Sequence, residues 1–188
     1  MRIIGGKLKR SKLNFLKNKI TRPLRDFVKE NLFNILENSS FIKIKIKDSI
    51  ILDLFCGIGS FGIECLSRQA KKVYFVDSNN DAINVLDENL IRLNLKEFSK
   101  IIKSEIPDVF SNSQIDDKID LVFLDPPYAE KSIDYILNEL KRSSLINKNL
   151  PVVIHREVSN GVDNFDILNN KLIRDYGRSR IIMGTLSS

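Results

Sequence analysis

Apolar and polar positions along this chain change rhythm near residue 48. Before that point, residues 1–20 alternate apolar and basic side chains around Gly5-Gly6, the pattern of a short hairpin or a loose arm. Thr21 is placed to cap a helix with Pro23 in its first turn. Leu24, Phe27, Val28, Leu32, Ile35 and Leu36 then recur at helical spacing through about Glu37, which leaves Arg22, Arg25 and Lys29 on or near the other face. From Ser49 onward short apolar runs alternate with helical patterns, as in a parallel sheet covered by helices. The spacing predicts strands near 49–54, 72–76, 99–103, 119–124 and 150–155, and helices near 60–69, 79–94, 105–111 and 131–142. Two further runs, 165–174 and 178–185, flank Tyr176-Gly177 as a closing hairpin. The expected organisation is a basic N-terminal extension over 1–47 and one α/β domain over 48–188.

Composition narrows the class. At 188 residues, with 43% hydrophobic and 29% charged positions, the chain has enough apolar content for a core and too much for wholesale disorder. No apolar stretch approaches the roughly 20 residues that span a bilayer, and the start lacks a secretory pattern, so a cytoplasmic protein without a membrane partner is expected. Cys56 and Cys65 form no CxxC, and His155 is the only histidine, so no metal site is expected. Charge is unevenly placed. Residues 1–47 carry 13 Lys and Arg against three acids, whereas 48–188 carry 17 against 21, and a basic end of this kind fits a polyanion such as RNA or DNA.

Two motifs carry chemistry. The first run, Ile50-Ile51-Leu52-Asp53-Leu54, enters Phe55-Cys56-Gly57-Ile58-Gly59-Ser60-Phe61-Gly62 and then a helical pattern. Glycines there permit positive φ and close approach of a ligand, and the helix start offers free N–H groups. The G-x-G-x-x-G spacing also fits a dinucleotide site. Asp53 tilts the choice towards S-adenosylmethionine, because an acid before the turn suits an amino acid's ammonium better than a diphosphate. Asp77 ends the next strand, where a carboxylate accepts from ribose hydroxyls in either cofactor class.

The second motif is Asp125-Pro126-Pro127-Tyr128, after the apolar run Ile119–Leu124. Two prolines fix φ twice and present the Asp125 carboxylate, the Pro126 carbonyl and the Tyr128 ring in a set relation. A base amino group is a poor nucleophile because its lone pair is delocalised. A carboxylate and a carbonyl accepting its two N–H bonds aim that lone pair at a methyl carbon, and Asp125 can take the departing proton. Tyr128 would stack on the flipped base. If strands one and four are neighbours where strand order reverses, both motifs meet in one crevice.

With these residues in view, the sequence resembles the bacterial methyltransferases that place a methyl on N2 of a guanine in 16S ribosomal RNA. The similarity covers Met1–Lys7, Thr21-Arg22-Pro23, Val28–Asn34, Asp53–Gly62 continuing through Glu64–Arg68, and Leu124–Tyr128. Departures are Ile58 and Phe61 where small residues are usual, and Asp77 where Glu is frequent. The resemblance implies a Rossmann-like class I S-adenosylmethionine-dependent methyltransferase fold: a mostly parallel seven-stranded sheet with a closing antiparallel hairpin. It further implies that Asp53, Phe55, Gly57, Gly59, Asp77 and Ser78 contact S-adenosyl-L-methionine, with Asp125, Pro126 and Tyr128 handling the guanine. Arg2, Lys7, Arg10, Thr21, Arg22 and Pro23 would grip RNA. The implied partner is 16S rRNA in an assembled or partly assembled 30S subunit, met by a monomer. The residue near Ser104 and Glu105 that would touch the adenine stays open. An adenine-N6 DNA methyltransferase shares such a crevice but usually needs a larger target-recognition region. A nicotinamide oxidoreductase and a non-catalytic RNA-binding assembly factor compete with it as functions for the same pattern. His155 reads as a surface or hydrogen-bonded structural residue, and Tyr176–Arg180 as either an RNA contact or a hairpin turn with solvated arginines.

Overall fold

The later rhythm folds into one sheet whose strand order reverses beside its first strand. A computed structural model describes residues 1–15, 26–38, 44–111, 114–127, 130, 132–158 and 165–187. Strands β1 (Ile50–Leu54), β2 (Lys72–Asp77), β3 (Ser99–Lys103), β4 (Leu121–Leu124), β5 (Leu150–Glu157), β6 (Leu168–Tyr176) and β7 (Ser179–Leu186) form a seven-stranded sheet in the order β3-β2-β1-β4-β5-β7-β6. The first five run parallel, and β7 is antiparallel to both β5 and β6. The described helices are α1 (Asp26–Asn38), α2 (Ser60–Ser67), α3 (Asn80–Arg92) and α4 (Ile133–Arg142).

Because strand side chains alternate between faces, each continuous apolar run feeds two cores. Ile51, Phe75, Phe123, Val153 and Ile181 point to one cluster, shared with Leu32 and Phe33 of α1 and with Phe61 and Ile63 of α2. Leu52, Val76, Val122, Leu124 and Ile154 point to the other, covered by Ile133, Ile136, Leu137 and Leu140 of α4. On the first face, Phe61 stacks on Phe123 at 4.0 Å and on Phe33 at 5.3 Å between centroids. That stack fixes where α2 begins relative to β4.

The strand predictions agree closely with the structure, and the departures have local causes. The helix expected over 105–111 is a single 3-10 turn, Pro107–Phe110. The fourth strand starts at Leu121 rather than 119, because Asp120 turns its carboxylate back to accept the Ile50 N–H at 2.8 Å and Ile119 makes only an isolated bridge to Ile146. The start expected for the first helix at Thr21 and Pro23 lies outside the described residues.

The N-terminal segment is a docked hairpin. Arg2 and Lys12 bridge across it, and Ile3 and Leu13 are buried in the first core. Its bend is held against α2: the Ile4 and Gly5 N–H groups donate to the Glu64 carboxylate at 2.9 and 2.7 Å, and Leu8 N–H to Ser67 Oγ at 3.0 Å. Two side chains of α1 depart from the expected faces. Phe27 is 65% exposed, with its ring edge-on to Tyr176, whereas Lys29 is fully buried. Lys29 sits on the side of α1 that meets α2, where its Nζ donates to the Arg2 carbonyl at 2.9 Å and to Ser60 Oγ at 3.3 Å and lies 3.6 Å from Glu64. Burial pulls the Lys29 pKa below the usual lysine value, opposed chiefly by the Glu64 charge. Arg68 closes the network, reaching Glu64 at 3.1 Å and Glu37 at 2.7 Å.

Removing one partner of a buried ion pair strands the other, at a cost of about 3–5 kcal/mol. Glu64→Ala, which also removes the acceptor for two arm N–H groups, should lower unfolding free energy in urea by about that amount. A loss below about 1 kcal/mol would mean that the pair is solvated.

Candidate active site

The register of the sheet brings the two motifs together. Leu54 pairs with Val76 on one side and with Leu124 on the other, and Leu124 pairs with Ile154. The next residue on each strand therefore stands in the adjoining row: Asp77, Phe55, Asp125 and His155, at the carboxyl ends of β2, β1, β4 and β5. The Asp125 N–H donates to the Leu54 carbonyl at 3.2 Å, which ties the proline motif to the start of the glycine turn. This is the switch point of the sheet, where open α/β folds bind ligands.

Between β1 and α2 the backbone becomes left-handed three times, at Phe55 (φ 55°), Gly57 (φ 53°) and Gly59 (φ 78°). A non-glycine residue there costs about 1–2 kcal/mol, and at Phe55 the reversal swings the ring out of the strand to pack against the second core. The two glycines do different work. A Cβ at Gly59 would lie 2.4 Å from Leu86 Cδ1 and 3.1 Å from Phe75 Cε1, so Gly59 is required by packing. A Cβ at Gly57 would meet nothing within 4 Å, so Gly57 opens on free space beside Asp77.

Asp77 braces that opening. Its Oδ2 accepts the Gly57 N–H at 2.7 Å and its Oδ1 accepts the Asn79 N–H at 2.8 Å, which ends β2 and starts α3. Each oxygen keeps a further lone pair, as binding a ribose diol requires. Ser78 beside it is exposed. Asp53 is 1% exposed and in register with Phe75 and Phe123. Its Oδ2 accepts the Gly62 N–H at 3.0 Å, one of the unpaired donors of the first turn of α2, while Oδ1 is buried without a partner among the described residues. Burial raises the Asp53 pKa well above the carboxylate range; the Gly62 bond opposes this, and the Asp125 and Asp77 charges add to it. An orphaned carboxylate oxygen behind the turn, an uncovered Gly57 and a ribose-competent Asp77 together fit S-adenosylmethionine.

At the end of β4, Asp125 is 31% exposed and Pro126 is buried. His155, which the sequence pattern presents as a structural residue, lies beside Asp125: its Nδ1 is 2.7 Å from Asp125 Oδ1, within hydrogen-bond distance. The one signal of this in the sequence is its place just past the β5 apolar run, level with the residue that ends β4. Tyr128, Thr21, Arg22 and Pro23 lie outside the described residues. Arg2 is exposed and bonded to Asp26 at 2.9 Å, near Lys29 and Ser60 at the start of α2. Lys7, also exposed, is held by Ser67 at the other end of α2, and Arg10 is exposed with φ 77°. Burial pushes both the Cys56 and Cys65 thiols well up, so neither supplies a ready thiolate.

A sheet of this order, with a glycine turn after β1 and an acid ending β2, defines the Rossmann-like class I methyltransferase fold. A solved protein from Haemophilus influenzae, named provisionally as a methylase, superposes with a TM-score of 0.77 at 28% identity over 100% of this chain and 98% of that one. The family model Conserved hypothetical protein 95 matches residues 1–184, and the chain belongs to that family. Among its relatives, Ribosomal RNA small subunit methyltransferase D of H. influenzae is 39% identical over 153 residues, 78% of this chain and 76% of that protein. The protein of the same name from Buchnera aphidicola is 30% identical over 84% of this chain and 76% of its own length. The family resemblance read from the motifs is thereby borne out.

The unequal surroundings of the two glycines set a stability test. Gly59→Ala should cost at least about 1 kcal/mol more in urea unfolding than Gly57→Ala, since both strain a left-handed backbone but only the first also clashes. Equal costs would contradict the packing role. Asp53 sets a second test, in pH. The folded chain holds the Asp53 proton more tightly than the unfolded chain, so stability is lost as pH rises from the ordinary carboxylate range through the raised folded value. Asp53→Asn should remove that slope and gain on wild type as pH increases towards neutrality; parallel urea midpoints across pH 4–8 would refute it.

Proposed function

We propose that this protein methylates N2 of a guanine in 16S ribosomal RNA, acting in the cytoplasm as a monomer on an assembled or partly assembled small subunit. The observation that carries the reading is the strand-end row in which Asp77 and Asp125 flank the end of β1, where the glycine turn begins. The names of the relatives supply the substrate class, and the basic N-terminal region suits RNA.

When bound, S-adenosylmethionine supplies an electrophilic methyl group. Asp77 would accept the ribose hydroxyls, and Asp53, Phe55, Gly57, Gly59 and Ser78 would contact the cofactor, with Asp53 and Gly59 also keeping the turn in shape. The crevice then needs only an aimed amine. Asp125 Oδ2 and the Pro126 carbonyl would accept the two N–H bonds of guanine N2, with Tyr128 stacked on the base. In taking the methyl group from the sulfonium sulfur, which would leave as a neutral thioether, nitrogen would acquire positive charge, and the proton it sheds would pass to Asp125. Arg2, Lys7, Arg10, Thr21, Arg22 and Pro23 would grip the RNA, and replacing the cations among them should weaken binding and reduce its salt dependence.

The test is methyl transfer to small subunits from cells lacking this protein, followed by mass spectrometry of the nucleosides. N2-methylguanosine should form, and Asp125→Ala should lower the rate by about 10²–10⁴. Methyl found on adenine N6, no transfer at all, or full activity in the variant would overturn the reading.

A further inference from the structure

We infer that His155 is the positioning residue of the acceptor site: it locks Asp125 so that one carboxylate oxygen is spent on the imidazole and the other faces the incoming amine. The inference rests on the function proposed above and assigns a residue to it outside the Asp-Pro-Pro-Tyr motif.

A carboxylate at the end of a strand ordinarily borrows a backbone N–H from the residues that follow it. Asp77 does so, taking the Asn79 N–H two positions on. Asp125 cannot do the same, because Pro126 and Pro127, one and two positions on, carry no N–H. The prolines that stiffen the main chain thus give the side chain no N–H of their own to accept from. His155 supplies one from the neighbouring strand at 2.7 Å, and among the described residues it is the hydrogen-bond partner of the Asp125 side chain.

The histidine is itself firmly held. It stands in register with Ile181 of β7 and one residue past the Leu124–Ile154 pair of β4 and β5, on the face of Val153 and Phe123. Its side chain is 9% exposed, against 31% for Asp125, so the imidazole lies behind the carboxylate rather than in the crevice. Among the described residues Nε2 is buried with no hydrogen-bond partner, and a proton there would be an unpaired buried donor. The ring proton therefore belongs on Nδ1, and the imidazole acts as a donor to Asp125 Oδ1. Oδ2 is left for the substrate. Catalysis by alignment is sensitive to such restraints, since a misplacement of about 1 Å costs on the order of 10² in rate.

The experiment compares His155→Leu, which removes the donor, with His155→Asn, whose side-chain N–H falls where Nδ1–H was. With small subunits as substrate, His155→Leu should lower kcat by about 10–100-fold while the KM for either substrate changes less than about threefold. His155→Asn should recover kcat to within about fivefold of wild type. In the free protein, an imidazole N–H proton resonance shifted downfield should vanish in Asp125→Ala, a readout independent of activity. Wild-type kcat in His155→Leu, no recovery in His155→Asn despite matched thermal unfolding, or a resonance unaffected by Asp125→Ala would each overturn the assignment. A wild-type protein that transfers no methyl while keeping the resonance would instead fault the proposed function alone.

Discussion

The parallel pairing of β1 with β4 is the constraint on which the rest of this molecule depends. Strand order reverses there, and the Leu54–Leu124 pair puts the residues that follow side by side. One of them begins a left-handed turn and the other a pair of prolines. Neither motif can do chemistry alone, since a glycine turn only makes room and a carboxylate on a rigid strand end only waits. The register makes them one site, and the Asp125 N–H to Leu54 carbonyl bond fixes their spacing.

That arrangement concentrates acids at the carboxyl ends of the central strands, and each is held differently. Asp77 accepts from backbone N–H groups, Asp125 meets the imidazole beside it, and Asp53 accepts the Gly62 N–H with one oxygen left orphaned. An unpaired buried oxygen is destabilising in itself, so its presence marks a site whose shape serves binding before stability. The opposite side of α2 carries the compensating structure. Lys29, Glu64 and Arg68 tie the N-terminal hairpin and α1 to that helix, and the Lys29 bond to Ser60 reaches its first residue, next to the glycine turn.

Much of this is legible in the sequence, and the exceptions have physical reasons. Strands β1, β2, β4 and β5 stand out as apolar runs, because a parallel strand buried on both faces has no polar face to break the run, whereas the edge strand β3 is Ser-Lys-Ile-Ile-Lys. The glycine turn and Asp125-Pro126-Pro127 are visible for a related reason: unusual backbone demands unusual residues. Lys29 and Phe27 fall on unexpected faces because helical periodicity records where apolar residues are. It cannot see that Glu64 awaits a partner across a helix contact, or that the first turn of α1 leaves an aromatic ring in solvent. The role of His155 is hidden because it depends on a register, the level of β5 against β4, which no local pattern encodes. The short Pro107–Phe110 turn mimics a longer helix because a few apolar positions suffice to suggest one.

The measurement that bears most directly on the shared crevice is a crystal structure with S-adenosylhomocysteine bound. The expected result places the ribose on Asp77 and the sulfur in the space between Gly57 and Asp125, with room for one amine in line with the missing methyl. Density for the ligand elsewhere, or a sulfur turned away from Asp125, would contradict it.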